Sequence, residues 1–190
     1  MISQNLDIKN LILEEKWSLF IDRDGVINTR IIDDYVKTPS EFNFIDGTLE
    51  AISIFTKIFY PIVVVTNQQG IGKGLMSIED LNLIHNKMNS DIIAAGGKID
   101  KVYFCPDLAN SGSKNRKPEI GMALQAKVDF PEIDFNKSII IGDSLSDMKF
   151  GKNTGMKTVF IGNEETRLAN KDIIDYTFSS LIEFGKELVS

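Results

Sequence analysis

The sequence predicts an α/β fold, a parallel sheet with helices on both faces. Apolar runs rich in β-branched residues alternate with stretches of helical period. Most of those runs are apolar throughout, as strands buried on both faces must be. The chain's 190 residues, 43% hydrophobic and 25% charged, suit one compact domain with a sizeable core.

In chain order, the first strand is expected over Ser18 to Asp22 and a helix over Thr48 to Phe59. A second strand over Ile62 to Thr66 leads to a helix over Ile78 to Ala95. That helix has clear ends: Ser77 stands three residues before Asp80, as in a capping box, and Gly96-Gly97 follows it. Its apolar face is Ile78, Leu81, Ile84, Met88 and Ile92, with His85 one position away and assigned no role. Strands over Ile99 to Cys105, Ser138 to Gly142 and Lys157 to Ile161 complete the sheet, with helices over Glu119 to Val128 and Leu145 to Asn153. Residues 1–16 fall outside the alternation, and Leu6, Ile8 and Leu11 to Leu13 fit a short amphipathic helix. The expected organisation is that N-terminal extension followed by a single domain over residues 17–190.

Composition excludes several functions. Cys105 and His85 are the only cysteine and histidine, so neither an intrachain disulfide nor a zinc site of four such ligands can form. Absence of a disulfide framework suits a reducing compartment, and the acidic start carries neither a secretory signal nor a membrane span, so a cytoplasmic location is expected. With 21 basic against 27 acidic residues, a net charge of −6, there is no general attraction to nucleic acid or anionic lipid. No membrane or nucleic-acid partner is expected, and a monomer is slightly favoured.

Four segments carry chemistry. In LFIDRDGVIN, two carboxylates end a buried strand before Gly25, and a period of two sets Asp22 and Asp24 on one side with Arg23 on the other. Acids so close repel unless a cation or proton intervenes, and Mg²⁺ is the natural hard-oxygen partner. An Asx-rich turn explains DxDG alone about as well. The next strand runs into TNQQGIGKG, where Thr66 can donate to a phosphoryl oxygen and Asn67 can assist. Its glycines match neither nucleotide-binding pattern, and a plain loop is an equal alternative.

In SKNRKPEIGMA, Lys114, Arg116 and Lys117 precede Pro118, which sets Lys117 at a loop-to-helix junction. Such a lysine can neutralise both a phosphate and the carboxylate attacking it, although most basic runs are solvated faces. In SIIIGDSLSDMKFG, Asp143 ends a buried strand as a possible third oxygen ligand, and Asp147 lies one helical turn onward. Asp147 could orient the loop or Lys117, or simply favour the helix dipole.

Together, in this order and at these strand ends, the four segments resemble the motifs of the haloacid dehalogenase superfamily of phosphatases. The likeness covers roughly residues 17–162. YVKTPSEFNFIDG (Tyr35 to Gly47) is similar to the region after the nucleophile in the heptose 1,7-bisphosphate 7-phosphatases and, next, the histidinol-phosphatases. The resemblance implies a Rossmann-like fold of haloacid dehalogenase type. It makes Asp22 the nucleophile that forms an aspartyl-phosphate and Asp24 the general acid and base. Thr66 and Lys117 would steady the phosphoryl group, with Asn67 and Arg116 binding substrate. Mg²⁺ would be held by Asp22, the main-chain carbonyl of Asp24 and Asp143. The substrate would be a small phosphorylated sugar.

From Asp22 to Thr66 is 44 residues and from Thr66 to Lys117 is 51, too few for a large cap domain. Recognition then falls to the loops Thr29 to Pro39, Gln68 to Met76 and Pro106 to Arg116. The resemblance departs at the zinc loop of the heptose enzymes, CxH followed by CxC. Here CPD (Cys105 to Asp107) and SKN (Ser113 to Asn115) take those places, so no zinc is expected. The interval from Asn28 to Tyr35 is also about two residues longer than in the relatives. TNQQGIGKG also resembles nucleic-acid 3′-end phosphatases, a rival that the acidic charge disfavours, and a noncatalytic phosphosugar-binding subunit is the alternative outside enzymes.

Overall fold

A computed structural model of the chain describes Ile12 and residues 15–190. The helix expected within residues 1–16 therefore falls almost wholly outside the described residues. The strands are β1 (Trp17–Ile21), β2 (Phe59–Asn67), β3 (Lys101–Cys105), β4 (Ser138–Gly142), β5 (Lys157–Ile161) and β6 (Tyr176–Phe178). They form one parallel sheet in the order β3-β2-β1-β4-β5-β6. The helices are α1 (Thr48–Phe55), α2 (Gln69–Gly72), α3 (Ile78–Ala94), α4 (Gly121–Asp129), α5 (Leu145–Thr154), α6 (Glu164–Ala169) and α7 (Leu181–Val189). No large cap interrupts this order, and no helix among the described residues is long and apolar enough to cross a membrane.

Alternation along β1 divides the interior. Leu19 and Ile21 face a layer containing Ile52 and Phe55 of α1, Leu81, Ile84, Met88 and Ile92 of α3, and Phe184 of α7. Phe20 faces the other layer, with Met122, Ala123 and Ala126 of α4 and Phe150 of α5. All five residues of β1 are buried, which explains why its sequence lacks the polar alternation of a half-exposed strand.

Several boundaries shift. The first expected helix stops at Phe55, and β2 begins at Phe59. Pro61 disfavours helical backbone at Tyr60, so the chain is already extended there. The expected capping box at α3 forms in both directions: Ser77 Oγ accepts from Asp80 N at 3.0 Å, and an Asp80 carboxylate oxygen accepts from Ser77 N at 2.9 Å. The buried face of that helix includes His85, whereas Ile78 is exposed. The helix expected from Glu119 starts at Gly121. β6, α6 and α7 extend the fold beyond the expected elements, and α7 docks by stacking Phe184 near Phe55 and Phe178, with ring centroids 5.6 and 5.1 Å apart.

Candidate active site

The carboxyl ends of the adjacent strands β2, β1 and β4 converge on a cleft of about 490 Å³. Asp22 follows β1 directly and is anchored across the sheet by its N–H, which donates to Ile141 O at 2.9 Å. Its side chain continues Phe20's side of the strand and meets Lys117. Lys117 Nζ lies 2.8 Å from Asp22 Oδ1 and 2.6 Å from Asp147 Oδ1, and donates to Val65 O at 2.7 Å. The ammonium thus sits between two carboxylates and a main-chain carbonyl in a position only 3% exposed.

Two glycines permit this closeness. A Cβ on Gly142 would lie 2.2 Å from Asp147 Cβ, and one on Gly25, at φ +91°, would lie 1.9 Å from Asp143 Oδ2. Any side chain at either position would push apart the acids that converge there. Asp147 also closes a capping box on α5: Ser144 N donates to Asp147 Oδ2 at 3.1 Å and Ser144 Oγ donates to it at 2.6 Å. Both readings of Asp147, orienting Lys117 and stabilising a helix start, hold at once, one on each oxygen.

Asp24 is held differently. The period-two expectation holds for Arg23, which leaves Asp22's side of the strand. The chain turns after Asp22, however, and brings the Asp24 carboxylate onto Arg23. The fully buried Arg23 donates through Nη2 to both Asp24 oxygens at 3.0 Å. Asn28 Nδ2 donates to Asp24 Oδ1 at 3.0 Å and Gln68 Nε2 to Oδ2 at 2.7 Å. Arg23, Gln68 and His85, which receives Arg23 Nη1 at 3.1 Å, escaped the sequence reading. A charged residue inside a buried strand end was the one available signal for Arg23.

The remaining expected residues also reach the cleft. Thr66 is buried, and its Oγ1 accepts from Gln68 Nε2 at 2.9 Å, which leaves its own proton free to donate. Asn67 clamps the main chain of Lys117, accepting from its N–H at 3.0 Å and donating to its carbonyl at 3.2 Å. Arg116 lines the cleft while donating to Asp107 O at 3.2 Å. All three expected recognition loops contribute to the lining, through Arg30, Ile31 and Asp33 to Val36, through Gln69 and Lys73, and through Arg116. In the loop that departs from the zinc pattern, Cys105 Sγ stands 3.5 Å from Asp107 Oδ2 and 3.6 Å from Ser113 Oγ.

The electrostatics favour a hard cation. Ligand atoms of Asp22, Asp143 and Asp147 lie within 4.8 Å of one another. Burial and the Asp147 charge push Asp22 upward against the pull of Lys117. Burial likewise pushes Asp143 up to about 6, despite Arg30. Lys117 is raised because Asp147 and Asp22 outweigh its burial. In Asp24 burial acts upward, but the Arg23 charge and the bonds from Asn28, Arg23 and Gln68 outweigh it and hold the carboxyl low. Two acids reluctant to ionise beside one lysine fit a divalent ion, because a second positive charge favours their ionised forms. Arg30 Nη2 currently bridges Asp143 Oδ1 at 2.8 Å and the Asp24 carbonyl at 3.1 Å, so a cation binding those two oxygens must displace it.

A family model described as HAD-hydrolase-like matches residues 114–183. A D-glycero-alpha-D-manno-heptose-1,7-bisphosphate 7-phosphatase of Mycobacterium tuberculosis is 35% identical over 171 residues, 90% of each chain. The enzyme of the same name from Campylobacter jejuni is 41% identical over 150 residues, 79% of this chain and 84% of the relative. Among solved structures, the D,D-heptose 1,7-bisphosphate phosphatase of B. bronchiseptica, complexed with magnesium and phosphate, superposes with a TM-score of 0.81 at 30% identity, covering 90% of this chain and 98% of its own. On fold, motif order and identity above 30% over most of its length, the chain belongs to the haloacid-dehalogenase-like phosphatases, in the family of the heptose 1,7-bisphosphate phosphatases.

Proposed function

We propose that this phosphatase is a magnesium-dependent phosphomonoesterase working through an aspartyl-phosphate on Asp22. We propose a sugar bisphosphate as its substrate, with the 7-phosphate of D-glycero-D-manno-heptose 1,7-bisphosphate as the group removed. The observation that carries this reading is the buried Asp22–Lys117 pair, 2.8 Å apart at the floor of the cleft. A carboxylate attacks a phosphate dianion only where fixed positive charge offsets their repulsion.

Asp24, ionised in the free site, takes up a proton as the anionic substrate binds beside it, gives that proton to the departing sugar oxygen as Asp22 attacks phosphorus, and later takes one from the hydrolytic water. Thr66 donates its free hydroxyl proton to a phosphoryl oxygen. Lys117 shares its charge between nucleophile and phosphoryl group, and Asn67 serves chiefly by fixing the Lys117 main chain. Asp22, Asp143 and the Asp24 carbonyl would hold Mg²⁺, which supplies charge neutralisation and Lewis-acid polarisation of the phosphoryl oxygens. Arg116, with Lys73 and Arg30 in the same lining, suits the second phosphate of a bisphosphate.

The test is phosphate release from heptose 1,7-bisphosphate of both anomers, histidinol phosphate and a 3′-phosphorylated oligonucleotide, with and without chelator. The expected result is chelator-sensitive preference for the heptose bisphosphate. Preference for either other ester, or full activity in metal-free protein, would overturn the corresponding part of the proposal.

A further inference from the structure

We infer that His85 is a positioning residue for the reaction, acting through Arg23 to fix the carboxylate of Asp24. The inference rests on the role proposed above for Asp24 as general acid and base.

Arg23 stands at the boundary between the cleft and the interior. Its main chain is fixed: its N–H donates to Asp22 Oδ1 at 2.7 Å, and its carbonyl receives Val26, Ile27 and Asn28. The guanidinium is fully buried, and its Nε has no hydrogen-bond partner among the described residues. Two contacts set its orientation, Nη2 on Asp24 and Nη1 on His85 Nε2 at 3.1 Å. With one contact removed, the planar group can pivot about the other, and the fork over the two Asp24 oxygens opens.

His85 is suited to hold that second contact. It lies on the buried face of α3, 62 residues from Arg23, with the Phe104 ring 6.2 Å away between centroids. An imidazole can accept Arg23 only as the neutral tautomer with Nε2 unprotonated. Burial and the Arg23 charge favour that form, pushing the group down to about 3, although Asp24 acts in the opposite sense. The buried histidine therefore offers a fixed acceptor throughout the neutral range. An ordinary core residue here would leave a second guanidinium nitrogen unsatisfied.

The proton in question passes from Asp24 to the ester oxygen as the Asp22–phosphorus bond forms and the phosphorus–ester-oxygen bond breaks. A sugar alkoxide needs that proton, whereas p-nitrophenolate leaves without it. In the phosphoryl-transfer step a defect confined to Asp24 placement must therefore depend on the leaving group, while general damage to the fold slows both substrates alike.

The experiment measures KM and, by rapid quench, the first-turnover rate of leaving-group release from a sugar phosphate ester and from p-nitrophenyl phosphate in the Mg²⁺-loaded wild-type, His85→Phe, His85→Gln and Asp24→Asn proteins. His85→Phe is expected to lower that first-turnover rate on the sugar ester by about tenfold or more with little change in KM, short of the roughly 10²–10⁴ that a general acid supplies. Its first-turnover release of p-nitrophenol should slow by less than about threefold on the same leaving-group argument. His85→Gln, whose amide oxygen can accept from Arg23, should recover most of the loss. If His85→Phe does not fold, His85→Asn, too short to reach, gives the same comparison. Equal losses on both substrates, or no loss, in the His85 variants would overturn the inference. A selective loss in Asp24→Asn beside such a result would leave the role of Asp24 standing, whereas no selectivity in Asp24→Asn would overturn that role itself.

Discussion

Arg30 shows how one side chain can set the terms of metal binding. Its guanidinium spans Asp143 and the Asp24 carbonyl, oxygens proposed above to hold Mg²⁺, and its side chain is 49% exposed. An exposed arm gains little from its ion pair and leaves readily, yet its charge competes with an incoming cation. Arg30→Ala is therefore expected to tighten Mg²⁺ binding severalfold by titration calorimetry. An unchanged or weaker dissociation constant would mean that Arg30 does not compete. Arg30 belongs to the stretch whose length differs from the relatives, so the motif resemblance gave it no role. Its importance depends on a contact with Asp143 across 113 residues.

At the scale of elements, α5 ties architecture to chemistry. Asp147 gives Oδ2 to the helix start and Oδ1 to Lys117, so cap and ammonium site share one carboxylate. An amide supplies a single oxygen. Asp147→Asn is expected to cost about 1–3 kcal/mol in urea unfolding and to lower kcat, and a loss in only one of the two would show the roles to be separable. The acids and Lys117 were legible because each sits at the end of a buried apolar strand or beside a proline, features that local periodicity registers. His85 and Gln68 were not, because their partners lie 62 and 44 residues away. β6 escaped because three residues are too few to establish a period. Its neighbour α7 lay beyond the last motif, and its apolar face makes sense only against Phe55 and Phe178.

For the whole molecule, buried ionisable groups make stability depend on pH. His85 is held near 3, by burial first and Arg23 second, against an ordinary value of 6.5. Unfolded chains take up this proton near pH 6.5, whereas the folded protein resists until near pH 3. Its contribution is thus complete above 6.5 and is lost as pH falls through that window, roughly 4–5 kcal/mol in all. The raised Asp22 and Asp143 slope the opposite way, but they are common to wild type and His85→Gln. The stability difference between these two proteins, measured by urea unfolding at pH 7.5 and pH 5, should move in favour of the variant at the lower pH. A difference independent of pH would contradict the neutral buried imidazole.

The direct test of Asp22 as nucleophile is to capture it in the act. In Asp24→Asn protein, p-nitrophenyl phosphate can still transfer its phosphoryl group, because its leaving group needs no proton, but hydrolysis of the product lacks its base. Rapid acid quench followed by peptide mass spectrometry should find a phosphoryl adduct on Asp22, formed at the rate of the p-nitrophenol burst. A burst with the adduct on another residue, or turnover with no adduct at any time, would contradict it.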